Sequence, residues 1–298
     1  MNLFDQTVAE ALRNQQGLSV LRPVVEKELL HHDILREMGR FGLLSSLVFI
    51  GGTCLRACYG SRRLSEDLDF AGGADFSKDW LAGFGEVLTE SLGAKYGLPV
   101  AVSEPTREEG NVDTWKIRIQ TRPDRRDLPA QRIHLDICAI PSHDARPMLL
   151  RNPYGVEMGT SGLIVRAASR EEILADKLLA FALRPGRIKN RDLWDIAWLR
   201  QQGISLPHPL LPAKITDHHQ TLDSFLLRLN ERRIQLATET GLEKEFQNEM
   251  RRFLPLALID SSVTKPEFWI YLVSEIDAAC TAAERALKMP ERSSGFPM

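Results

Sequence analysis

Phe49-Ile-Gly-Gly-Thr-Cys-Leu-Arg56, followed by Arg63-Leu-Ser-Glu-Asp-Leu-Asp-Phe70, joins a glycine turn to a pair of carboxylates. Leu47-Val-Phe-Ile50 is a short apolar run, read as a strand that ends at Gly51-Gly52, and a helix is predicted over 53–59. Two glycines after a strand let backbone approach a phosphate closely, and a following helix turns its first amides toward that anion. Leu68-Asp-Phe70 is predicted as a second strand, stopped by Gly72-Gly73. Side chains alternate along a strand, so Asp67 and Asp69 point one way while Leu68 faces the core. Two such carboxylates repel each other unless a divalent cation lies between them. Magnesium is held in this manner, by one or two carboxylates together with substrate phosphates.

Asp-x-Asp alone is a weak sign, since it also marks glycosyltransferases and haloacid-dehalogenase-type phosphatases. A third acid strengthens it. Asp136 stands within Ile133-His134-Leu135-Asp136-Ile137, where a carboxylate inside an apolar strand needs a partner. The expectation is that this strand lies beside the Asp-x-Asp strand and completes a three-carboxylate site. His134 shares the face of Asp136.

Around these motifs the patterning divides the chain. An amphipathic helix is predicted over 24–47, another over 80–92, and alternating strands over 115–120 and 132–137. Residues 121–131 are charged and proline-containing, as loops are. Strand signals cease after about Leu163. Ser169 and Glu172 form a capping box opening a helix that Pro185-Gly186 breaks, and further helices are predicted over 191–199, 222–238, 242–253 and 267–287. On the capped helix Lys177 and Arg184 share a stripe apart from the apolar row Leu174, Leu178 and Phe181, while Asp192 and Asp195 share a face of the next helix. Asp176 is expected on the helix surface. Trp194 and Trp198 are expected in the core between helices.

The 298 residues are 43% hydrophobic and 26% charged, with net charge −2, a composition that suits a globular protein and argues against one that coats nucleic acid indiscriminately. Basic residues nevertheless cluster: Arg184, Arg187, Lys189 and Arg191 without an intervening acid, and five arginines from Arg118 to Arg132 against Asp124 and Asp127. Arg125, Arg126, Arg187 and Lys189 are the candidate contacts to a polynucleotide backbone. No signal peptide or membrane-spanning run is read, so the expected compartment is the cytoplasm. Cys54 and Cys58 lack the further ligands a zinc site needs and are expected to be buried free thiols.

The two quoted segments, with Glu172-Ile-Leu-Ala-Asp-Lys-Leu178 and Arg191-Asp-Leu-Trp-Asp195, resemble the motifs of AbiEii-type nucleotidyltransferases. These are the toxins of type IV toxin–antitoxin and abortive-infection systems, within the polymerase-β-like superfamily. The resemblance covers about residues 49–199. It implies an α+β chain: a nucleotidyltransferase domain with a small mixed sheet over residues 1–165, then an all-helical domain over 166–298. It implies transfer of a nucleoside monophosphate from a nucleoside triphosphate to an acceptor hydroxyl, with RNA, and the tRNA 3′ end above all, as acceptor. It also implies a cognate antitoxin encoded nearby.

On that reading Asp67, Asp69 and Asp136 hold two magnesium ions, and Gly51, Gly52, Thr53 and Ser65 surround the phosphates. Whether Thr53 or Ser65 takes the hydroxyl's role stays open, because Gly51-Gly52-Thr53 stands where the wider superfamily commonly has Gly-Ser. Lys177 is the triphosphate-binding cation, with Arg63, Asp192 and Asp195 in support. The rival readings are a small-molecule, antibiotic-type nucleotidyltransferase, an Asp-x-Asp glycosyltransferase, and a non-catalytic RNA- or protein-binding module on the same fold.

Overall fold

The computed structural model describes residues 2–106, 110–125, 127–207 and 209–288. In order, its elements are α1 (Leu3–Asn14), α2 (Arg22–Arg40), β1 (Val48–Ile50), α3 (Gly51–Ala57), β2 (Leu68–Ala71), α4 (Phe84–Tyr96), β3 (Val100–Ser103), β4 (Val112–Ile119), β5 (Gln131–Cys138), β6 (Ala145–Leu149) and β7 (Ile164–Ala168). The helices α5 (Arg170–Leu183), α6 (Asn190–Gln201), α7 (Leu210–Asp217), α8 (Leu222–Thr238), α9 (Leu242–Met250), the single turn α10 (Leu256–Leu258) and α11 (Pro266–Lys288) follow. Two compact units result, Met1–Ser169 with Gln247–Thr264, and Arg170–Phe246 with Lys265–Met298.

In the first unit the strands run β3-β4-β5-β2-β1-β7-β6 in one mixed sheet. β2 lies antiparallel to β1 and parallel to β5. Leu68 and Phe70, Ile133, Leu135 and Ile137, and Trp115, Ile117 and Ile119 are buried on one face of these strands. Phe70 stacks on Phe49 of β1 with ring centroids 5.0 Å apart. Leu29, Leu30 and Ile34 of α2 are fully buried, and α2 packs against β5.

The helix read as amphipathic is buried on its charged positions too. Glu26, Glu28, His31, His32, Asp33 and Glu37 are all buried, which requires partners. Asp33 receives Arg36 and Lys95 at 2.6 Å and the Tyr96 hydroxyl at 2.7 Å. Glu26 receives Arg22 at 2.9 Å and also Arg122.

The structure departs from the sequence patterns in three places. The helix expected over 80–92 is a 3-10 turn, Lys78–Leu81, and then α4, separated at Gly83, whose φ of +78° suits glycine. β3, β6 and β7 extend the sheet beyond the strands the patterns predict. Strand signals do not cease at Leu163, for β7 follows at once, pairing parallel with β1 and antiparallel with β6.

In the second unit Trp194 is buried and stacks on Phe268, with centroids 6.1 Å apart. Asp176 is not a surface acid. It meets the buried Lys214 at 3.1 Å, and Lys214 also meets Glu172 at 2.6 Å. Glu172 is thereby turned inward, its side chain fully buried. Though 26% of the Asp176 side chain stays exposed, burial pushes its carboxyl up to about 6 against the opposing charge of Lys214. Cys54 and Cys58 are buried and free, and burial, with the neighbouring Cys58 thiol, raises the Cys54 thiol well above its usual range.

Candidate active site

β1 ends at Ile50, and α3 begins directly at Gly51. Gly51 has φ +74°, and a Cβ there would lie 2.7 Å from Asp69 Oδ2. Backbone conformation and space both demand glycine, because the antiparallel register places Ile50 opposite Asp69. Gly52 and Thr53 are buried behind it. The Thr53 hydroxyl stands 2.6 Å from Ser65 Oγ and donates toward the Asp67 carbonyl. The two hydroxyls considered for a phosphate thus bond to each other, tying the glycine turn to the segment that carries the first carboxylate.

That segment is clamped by residues of which the sequence motifs single out only Arg63. Glu28 of α2, 5% exposed, accepts the Ser65 amide at 2.8 Å, Arg56 Nε at 3.1 Å and the Tyr154 hydroxyl. Burial, then the Glu28 charge, drives the Tyr154 phenol well above its usual range. His31 Nε2 lies 3.0 Å from the Glu66 carbonyl, and Lys27 meets the Glu66 carboxylate at 3.0 Å. The Arg63 guanidinium is buried and donates to the Leu64 carbonyl at 3.1 Å, while the Leu64 amide donates to the Phe253 carbonyl at 2.9 Å. The sequence signal for these partners is weak, because they lie far apart along the chain.

β5 does lie beside β2, with Asp69 and Asp136 as direct partners in a parallel register. Asp67 sits just before β2, where its Oδ1 accepts the His134 amide at 3.0 Å. The His134 ring Nδ1 stands 3.5 Å from the same oxygen, so this histidine attends Asp67 despite sharing a strand face with Asp136. Asp136 Oδ1 accepts the Thr114 hydroxyl at 2.6 Å. Among the described residues no group of three or more His, Cys, Asp or Glu side chains is gathered closely enough to hold an ion. Asp67 is held by the β5 backbone and Asp136 by Thr114. The donor set still suits a hard cation such as magnesium, since it is all carboxylate oxygen. Glycine at 51 is what lets the turn pass this close to Asp69 Oδ2.

Lys177, in the second unit, is 12% exposed and lies 2.6 Å from Asp192 and 2.8 Å from Asp195. Arg184 adds a contact to Asp192 at 3.1 Å. Burial alone would raise the Asp192 carboxyl, but the charges of Lys177, Lys189 and Arg184 outweigh it and hold it below its usual value. Both acids thus orient Lys177, where the sequence left a choice between Lys177 and Arg191.

The basic loops are less open than their composition implies. Arg125 is engaged by Asp127 through two bonds of 2.8 and 2.7 Å, and Arg122 turns to Glu26. Arg126 lies outside the described residues. Arg187 is exposed, while Lys189 is half-buried, and burial lowers its ammonium against the pull of Asp192.

A strand–glycine–helix turn set against in-register acids on adjacent strands can bring a phosphate and a hard cation together. The family model for the nucleotidyl transferase AbiEii toxin of type IV toxin–antitoxin systems matches residues 33–273. The chain belongs to the AbiEii family. An AbiEii chain is a nucleotidyltransferase, and membership of a toxin family implies a nucleotide substrate and a cognate antitoxin. Among solved structures, the nucleotidyltransferase toxin MenT4 from Mycobacterium tuberculosis has a similar fold. It is 16% identical, with TM-score 0.53, over 92% of this chain and 98% of that one. JHP933 from Helicobacter pylori is 19% identical, with TM-score 0.47, over 87% and 94%. No curated protein matches this AbiEii sequence. No described helix is long and apolar enough to cross a membrane.

Proposed function

We propose that this AbiEii enzyme moves a nucleoside monophosphate from a nucleoside triphosphate to a hydroxyl of RNA, with the tRNA 3′ end as the preferred acceptor. On this reading it acts in the cytoplasm, blocks translation, and is countered by an antitoxin encoded nearby. The observation that carries the reading is the pairing of Asp69 with Asp136 across adjacent strands beside the glycine turn.

Asp67, Asp69 and Asp136 would hold divalent cations, magnesium by their donor chemistry; bound there, such ions neutralise the triphosphate and the attacking oxygen. The backbone of Gly51 and Gly52, with the Thr53–Ser65 pair behind it, frames the phosphates. Asp136 accepts the proton as the acceptor O–H bond breaks. The oxygen then bonds to the α-phosphorus, and the bond to the β-phosphate oxygen breaks to release pyrophosphate. Lys177 is assigned the negative charge developing on that leaving group. The transfer chemistry is assigned to the α/β part of the chain, about residues 1–165, and a supporting role to the helical part, about 166–298.

The test is incubation with each labelled nucleoside triphosphate, magnesium and total RNA, followed by sizing of the products. Label in the tRNA band with matching pyrophosphate release is expected. Label confined to small molecules would overturn the RNA acceptor, and absence of any transfer would overturn the carboxylate assignment.

A further inference from the structure

The face of β4 and β5 opposite the core carries cations in register with the carboxylates. On β4, Trp115, Ile117 and Ile119 point inward, leaving Thr114, Lys116 and Arg118 on the other face, the last two exposed. On β5, Ile133, Leu135 and Ile137 point inward, leaving Arg132, His134 and Asp136. Pairing arranges these side chains in rows: Arg118 opposite Arg132, Lys116 opposite His134, and Thr114 opposite Asp136, which is itself opposite Asp69. The neighbouring β3 contributes only the small, exposed Ala101 and Ser103 beside Arg118 and Lys116.

Like charges directly across a sheet oppose folding, yet Arg118 and Arg132 face each other so, and no described carboxylate pairs with Lys116, Arg118 or Arg132. A face that repels itself when bare is suited to an anion. With about 3.4 Å of rise per residue, Arg132 lies about 14 Å along the strand from Asp136. The basic rows therefore lead straight to the acids, with His134 at the junction, where its amide holds Asp67.

We propose that this face is the track for the acceptor: a single-stranded RNA 3′ end whose phosphates lie on Lys116, Arg118 and Arg132 and whose terminal hydroxyl reaches Asp136. The inference rests on the RNA-acceptor reading above, and moves the acceptor from loops 121–131 and 184–191 to the sheet. His134 is the one aromatic ring in the rows, and its Nδ1 is turned to Asp67, so the track reads backbone. An acidic protein fits the face less well, because the rows themselves carry no apolar side chain of the kind that anchors protein interfaces, Val112 lying beyond them at the start of β4.

The experiment measures binding of a labelled single-stranded RNA ending in a 3′ hydroxyl, by anisotropy across a salt series without metal, with label transfer scored separately. Three phosphate contacts at about −0.7 each give a slope contribution of about −2 in log affinity against log salt. Lys116→Gln/Arg118→Gln/Arg132→Gln should flatten the slope by about that amount and weaken binding at least about tenfold at low salt. Arg125→Gln/Arg187→Gln should keep the wild-type slope. The single variants Arg118→Gln and Arg132→Gln, each relieving the repulsion, should melt no lower than wild type and show part of the effect.

An unchanged slope and affinity in the triple variant, or flattening only in the loop variant, would overturn the track. With labelled polyglutamate as a second anisotropy probe, loss of its binding in the triple variant with RNA binding intact would give the face to an acidic protein instead. Failure of the wild type to transfer label to any RNA would count against the proposed function, while the anisotropy would still decide the face.

Discussion

Lys177→Met separates a catalytic lysine from a structural one. The ammonium lies 2.6 Å from Asp192 and 2.8 Å from Asp195, whose side chains are 4% and 0% exposed. Removing one partner of a buried ion pair costs about 3–5 kcal/mol, because the remaining charge stays desolvated. Both acids lose an ion-pair partner; Asp192 keeps Arg184 at 3.1 Å, and Asp195, the more deeply buried, loses a contact of 2.8 Å. Urea denaturation of Lys177→Met should therefore show a loss of about 3–5 kcal/mol, and Lys177→Met/Asp195→Asn should recover most of it by removing the buried charge. Transfer behaves differently if Lys177 meets the triphosphate. Loss of a charge-stabilising donor slows chemistry by about 100- to 1,000-fold, and the double variant, though stable, should stay as slow as the single one. Assays below the unfolding transition of both variants keep the two effects apart. Recovery of activity together with stability would make Lys177 structural alone, and a single variant within about 1 kcal/mol of wild type would refute the burial argument itself.

The remaining predictions concern the site and the second unit. Asp69→Asn should lower transfer by at least about 100-fold; normal turnover would remove Asp69 from the site. Gly51→Ala should cost about 1–2 kcal/mol for its left-handed backbone and more where the new methyl meets Asp69 Oδ2, so melting temperature and transfer should both fall; a silent variant would refute the close approach. Asp176 titrates near 6 in the fold against its usual 3.8, so the fold favours the protonated form. Its contribution is full below about pH 4 and is lost as pH rises to about 6, a decline near 3 kcal/mol. Asp176→Asn should remove that decline in denaturation curves at pH 4, 5, 6 and 7, whereas Asp192, held below its usual value, works in the opposite sense. An unaltered pH profile would exclude Asp176 as its source.

The glycine turn and the acid pair were legible because each is a short motif whose geometry is local: two glycines end a strand, and alternation fixes a face. The placement of Asp136 followed from an acid within an apolar alternation, and β5 does pair with β2. What stayed hidden depends on partners distant in sequence. Nothing near Glu28 indicates that it will accept the Ser65 amide and the Tyr154 hydroxyl, and Lys214 gives no sign that it will be buried between Glu172 and Asp176. β6 carries Pro147 and alternates poorly, while β7 is a short run of small and aliphatic residues beside a helix start, so neither shows a clean period of two. The arginines around 118–132 were legible as charge but not as placement. Two stand on strands in a facing row, one pairs with an acid on α2, and one with its neighbour in the loop.

The return of Gln247–Thr264 to the first unit bears on how the protein is made. The Leu64 amide, three positions before Asp67, finds its backbone acceptor at Phe253, so the segment leading to the acids waits for a residue synthesised 189 positions later. Domains ordinarily fold as units while translation proceeds, but this one cannot close behind the ribosome after residue 169. A chain cut between residues 170 and 246 leaves the first unit without its last tie. For a protein of a toxin family, the ordering of synthesis itself delays the moment at which a competent molecule exists. It also means that neither half can be lifted out as a contiguous module for grafting.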